Sequence, residues 1–138
     1  MKLLLALVLT SFVAAQAASL NNQNLFISPM DGRLDGFIAS EIIKQKLPVK
    51  VVTDEKDADF VMVGASLKAD DHWYNTVFNG KDKNEGNVRI LNVKEKTLVW
   101  AGEAGDRSLF YSNWHRGGER KVAERIVDQM KKNCFDKH

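Results

Sequence analysis

The 138-residue chain is poor in the residues that fasten or break a fold: it has one cysteine, two prolines and nine glycines. A lone thiol, Cys134, forms no internal disulfide, so the fold stands on packing alone. With Pro29 and Pro48 as its prolines and no low-complexity tract, the chain is neither collagen-like nor a Pro-rich linker, and its apolar content excludes intrinsic disorder. An excess of one charge is missing too. Lys and Arg number 20 against 18 Asp and Glu, a formal net charge of +2, which leaves no electrostatic footprint for nucleic acid. No Asn-x-Ser/Thr sequon occurs. What is present, 44% hydrophobic and 28% charged residues, suffices for one core, and chains of about this length form one domain.

Residues 1–18 read as a secretory signal peptide. Met1 and Lys2 give a short basic region, Leu3 to Val13 an apolar run interrupted at Thr10 and Ser11, and Ala15-Gln16-Ala17-Ala18 a small-residue cleavage site. That run is roughly half of the ~20 residues needed to cross a bilayer, and no later run approaches it, so no transmembrane span is expected. The remainder, 19–138, is expected to form a single globular domain, exported to the periplasm or the medium. Cys134 lies far from the cleavage site, so the protein is not read as a lipoprotein. The thiol is expected to pack beneath a helix end; the alternative is a bridge between two chains.

The predicted order is β-α-β-β-β-β-α, an α/β (α+β) fold with a mixed sheet of about five strands and two helices packed on one face. Leu25 to Pro29 is the first strand, closed by proline. Leu34, Phe37, Ile38 and Ile42 fall at helical spacing, with Asp31 or Asp35 as the expected cap and Leu47-Pro48 as the stop. Val49 to Thr53 then makes a second strand, parallel to the first. Phe60 to Leu67 reads as a strand buried on both faces, with Gly64 marking a bend or close approach. A long excursion follows, from Ala69 to Asn87. Val88–Val93 and Thr97–Ala104 form a hairpin joined by three residues, Lys94-Glu95-Lys96. On the first of these strands Val88 and Ile90 share one face, and Arg89, Leu91 and Val93 the other. The last helix starts near Gly118 and carries Val122, Ala123, Ile126, Val127 and Met130 on one face, after which Asn133 to His138 is expected to fray.

The strand-helix-strand start, the Ala58-Asp59-Phe60-Val61-Met62-Val63-Gly64 strand, the hairpin Ile90 to Trp100 and the final amphipathic helix resemble small bacterial envelope domains. The pattern is similar to the amino-terminal domain of TolB and to CsgG/LpoB-like domains over most of Leu25 to Lys132. Ala104 to Phe110 followed by Arg116 to Ala123 resembles a group of uncharacterised secreted bacterial proteins. The resemblance implies an envelope location and this fold. The chain departs from the CsgG/LpoB-like pattern in lacking a lipid-acceptor cysteine, and it carries no propeller of the TolB kind.

Reactive motifs are sparse. Gly64-Ala65-Ser66 lacks the second glycine of a nucleophile elbow. His72, His115 and His138 show no metal-ligand spacing, and a Cys134/Asp136/His138 site would sit on the fraying terminus. The pairs Asp57/Asp59 and Asp70/Asp71 read as solvated loop acids. Phosphate-binding and dinucleotide motifs are absent, and the basic residues of the last helix alternate with Glu119, Glu124 and Asp128. No catalytic residue, metal ligand, cofactor or nucleic-acid partner is therefore assigned. One constellation stands out: Arg107, Tyr111, Trp114, His115 and Arg116, in a loop ending at Gly117-Gly118 before the last helix. Two guanidinium groups, flat rings and glycine-exposed N–H groups at a helix start suit an anionic ligand, a glycan or a carboxylate-bearing partner. Trp73, in the excursion, is the second candidate surface. The expectation is a non-enzymatic binding or accessory domain that contacts an envelope protein or cell-wall component. The alternatives are a small envelope hydrolase using His115 with Asp106, and a structural module dimerised through a sheet edge or Cys134.

Overall fold

The computed structural model of the protein describes residues 19–64, 73–74, 87–103 and 118–136. The predicted leader, most of the excursion and the Arg107–Arg116 loop lie outside these residues. The described chain runs β1 (Asn24–Ile27), α1 (Leu34–Lys44), β2 (Lys50–Val52), β3 (Phe60–Gly64), β4 (Asn87–Asn92), β5 (Thr97–Glu103) and α2 (Gly118–Asn133). The strands form one mixed sheet in the order β2-β1-β3-β4-β5, with β1 parallel to both β2 and β3, and β3–β4 and β4–β5 antiparallel. This is the expected α+β architecture, with both helices on one face.

Alternation along the strands sorts the core into two clusters. Leu25 and Ile27 of β1, Met62 of β3 and Ile90 of β4 face the helices, where they meet Ile38 and Ile42 of α1 and Ile126, Val127 and Met130 of α2. Val61, Val63 and Leu91 face the other way and are fully buried with Tyr74, while Phe26 and Val93 pack at the margin. Every residue of β3 is therefore buried, as expected of a strand covered on both faces. Each of these large side chains contributes roughly 1.5–3 kcal/mol by leaving water.

The helices run side by side in the same direction. Arg120 lies over the Phe37 ring at 5.4 Å, and Gln45 Nε2 donates to Asp128 Oδ1 at 3.0 Å. Both pairs bridge α1 and α2 at the same sequence offset, 83 residues. Equal offsets require parallel axes, so both N-termini lie at one end of the sheet. It is the end at which β1, β3 and β5 finish, called here the upper end.

Local chemistry at the ends of elements departs from the expectations in three places. The N-cap residue of α1 is Arg33, at φ 58°, with no side-chain cap bond of its own, and the expected cap by the Asp31 side chain lies outside what is described. Asp35, in the first turn, instead accepts from the Met30 N–H at 3.3 Å. The hairpin connection is four residues, Val93 to Lys96, because pairing between β4 and β5 ends at Asn92 and Thr97. Val93 had read as strand by propensity, but its N–H goes to the Asp59 carbonyl on the β3 side, at 3.0 Å. The Asn92 Oδ1 accepts from Glu95 N–H and Lys96 takes φ 53° to close the turn. Finally, residues 134–136 do not fray. Leu20 N–H donates to the Cys134 carbonyl at 2.9 Å and Asp136 N–H to Asn21 Oδ1 at 3.1 Å, so the start of the described chain clasps the end of α2.

Candidate functional site

The upper end gathers the segments whose geometry is least ordinary. After β1 the chain passes through Ser28 and Pro29 to Met30, whose thioether lies so close to Gly64 that a methyl group there would meet Sδ at 3.0 Å. Gly64 is thus a place of close approach, as its position in an apolar strand suggested. Gly32 follows at φ 65°, and a Cβ at that position would stand 2.8 Å from a Glu119 carboxylate oxygen. The turn that leads into α1 and the first turn of α2 therefore touch through Gly32 and Glu119. Arg33, the N-cap residue of α1, makes no side-chain cap bond, and the partial positive charge of two helix ends is directed to the same region.

Of the six residues proposed from sequence, Arg107, Tyr111, Trp114, His115 and Arg116 lie outside the described residues. The described residues that bracket them, Glu103 and Gly118, both stand at the upper end. Trp73 does not stand with those brackets. Its ring is edge-to-face with Tyr74, at 5.6 Å and 75°, and Lys96 of the β4–β5 turn places its ammonium 5.7 Å from the indole centroid. Lys96 marks the lower end, a strand length of roughly 20 Å from the upper one. Tyr74 is buried among Val61, Val63 and Leu91, and the half-buried Trp73 packs against the same cluster. Trp73 therefore stands at the lower end, away from Glu103 and Gly118.

Sequence reasoning passed over two residues on the sheet face opposite the helices. Ser28 follows the Ile27–Met62 pair, and so falls beside Val63, which pairs with Arg89. The Ser28 side chain is 1% exposed and its hydroxyl has no hydrogen-bond partner among the described residues. Arg89 is half-buried. Alternation along β4 already placed Arg89 with Leu91 and Val93, and a cation on an otherwise apolar face was the signal available; nothing local marked the hydroxyl.

The other candidate chemistry is structural. Asp59, weighed as a loop acid, accepts the Asn24 N–H at 2.9 Å, and the Asp57 carbonyl accepts from Asn24 Nδ2 at 3.0 Å, so that loop fastens the start of β1. Among the described residues no three His, Cys, Asp or Glu side chains form a group that could hold a metal ion, and no helix is long and apolar enough to cross a membrane. Burial pushes the Cys134 thiol up to about 12. Compared with known proteins, the chain matches no family model, no curated protein and no solved structure. The functional reading consequently rests on its own residues.

Proposed function

We propose that the protein is a non-enzymatic binding or accessory domain of the bacterial envelope, secreted or periplasmic, that contacts an envelope protein or cell-wall component at its upper end. The observation that carries this reading is the parallel pair of helices. Two helix N-termini, those of α1 and α2, meet at the end where Glu103 and Gly118 bracket residues 104–117. Backbone N–H groups at helix starts, together with guanidinium groups such as those of Arg107 and Arg116, suit a carboxylate-bearing or otherwise anionic partner. The leader read in residues 1–18 and the resemblance to TolB and CsgG/LpoB-like domains bring the envelope into the proposal. Trp73, beside Lys96 at the lower end, is the second proposed contact residue.

Affinity capture from an envelope extract tests the reading, with an Arg107/Trp114/Arg116 triple alanine variant and a Trp73→Ala variant beside the native chain. A partner held by the native form and by Trp73→Ala, yet lost from a triple variant of unchanged circular dichroism, is the expected result. Equal capture by the native and triple forms removes the loop from the proposal.

One observation favours a second reading, a structural module that pairs with its own copy. Among the described residues no strand pairs with the outer edge of seven-residue β5, where Leu98 is 49% exposed. Such an edge is a template for another strand. Sedimentation that shows a dimer, converted to monomer by Leu98→Lys, would support it.

A further inference from the structure

The sheet face turned away from the helices carries one row with two polar residues among apolar ones. Counting one residue beyond the Ile27–Met62 pair, it reads Ser28, Val63, Arg89 and Ala101. The row below it, Phe26, Val61, Leu91 and Leu98, is wholly apolar. A buried hydroxyl with no partner among the described residues is a standing cost, since its bonds to water are lost and none of those residues replaces them. Alanine would fill the position without that cost.

We propose that Ser28 and Arg89 form a subsite for a small oxyanion group, a phosphate or a carboxylate. Two strand spacings, roughly 10 Å, separate their backbones, a gap that an arginine side chain and one bound anion span together. The Ser28 hydroxyl donates to one oxygen and the guanidinium fork to others, so the anion supplies the acceptor that the hydroxyl lacks. Arg89 is already engaged in the fold, and the anion shares or replaces that contact. Ser28 and Val63 are closed from solvent while Ala101, opposite Arg89, is exposed, so the subsite opens from the β5 side. Its place at the finishing ends of parallel strands is where open sheets of this kind receive ligands. The subsite uses no residue of the Arg107–Arg116 loop, so it stands or falls apart from the partner-binding reading.

Thermal unfolding of the full chain tests it, with inorganic phosphate and acetate titrated separately and chloride at matched ionic strength as the reference. The expected result is a rise in midpoint with phosphate or acetate beyond that in chloride; whichever anion acts identifies the group. Ser28→Ala starts from a higher midpoint without anion, and its half-saturating concentration is at least tenfold higher. Arg89→Lys, which keeps the charge but loses the fork, weakens the response several-fold. No anion-specific rise in the native chain, or the same half-saturation in Ser28→Ala, overturns the proposal.

Discussion

At the scale of single residues, two positions are set by what stands beside them. Ser28, 1% exposed, keeps a hydroxyl with no partner among the described residues, so Ser28→Ala is expected to stabilise the fold by about 1 kcal/mol, read from a urea unfolding midpoint with unchanged slope. A loss of stability instead would mean that the hydroxyl makes a bond in the folded chain. Gly102 supports a different argument. Its neighbour two places back, Trp100, lies across it so closely that a Cβ would overlap the indole ring. Gly102→Ala is therefore expected to displace the ring and cost about 1–3 kcal/mol. The altered near-ultraviolet circular dichroism should be absent when the same change is made in a Trp100→Phe background, which separates this tryptophan from Trp73 and Trp114. Such features divide by what a local reading can reach. The side of the sheet that Arg89 occupies was legible from alternation alone, and Gly64 was legible as a close approach. The loneliness of the Ser28 hydroxyl was not, because it is a property of groups brought from β3 and beyond.

The elements were most legible where their endings are written locally. Leu47-Pro48 stops α1, and the structure adds how: Lys46 N–H bonds to the Ile43 carbonyl at 3.1 Å and Leu47 N–H to Ile42 at 3.2 Å, the paired bonds of a Schellman closure. That closure needs a left-handed residue, and here a lysine holds φ 54°. A β-carbon at such a position is strained, so Lys46→Gly is expected to stabilise the protein by up to about 1 kcal/mol, measured as a higher thermal midpoint. Lys46→Ala should gain nothing comparable, since it keeps the β-carbon. The start of α1 was misread for the opposite reason. Two aspartates offered themselves as caps, but the left-handed turn at Gly32 and Arg33 sets the helix entry, and Asp35 is spent on the Met30 N–H. The hairpin was one residue longer than expected because Val93 is committed to the Asp59 carbonyl and leaves the β5 ladder early.

For the whole molecule, the decisive contacts join residues far apart in sequence, and these a local reading cannot supply. The order of elements and the two-sided burial of β3 followed from periodicity; the clasp between residues 19–21 and 134–136 did not, which is why the C-terminal residues had been expected to fray. In that clasp Leu20 is 1% exposed and belongs to the same buried cluster as Cys134, itself 5% exposed. Burial holds the thiol protonated, raising it from an ordinary 9.0 to about 12. The sign follows from linkage. The folded chain keeps a proton there that the unfolded chain releases, so the contribution to stability is complete below pH 9.0 and is lost as pH rises toward about 12. The fall in unfolding midpoint between pH 8 and pH 10.5 should accordingly be smaller in Cys134→Ala than in the native chain. Reactivity gives an independent check. A neutral aromatic disulfide at pH 8 should label native Cys134 on the order of a hundredfold more slowly than the urea-unfolded chain, because the thiolate is both scarce and covered. Leu20→Ala opens the clasp without touching the sulfur. It is expected to cost about 2–5 kcal/mol and to raise the native labelling rate. Fast labelling of the native chain, or a rate unmoved by Leu20→Ala, would show that the ends of the domain open independently of its core.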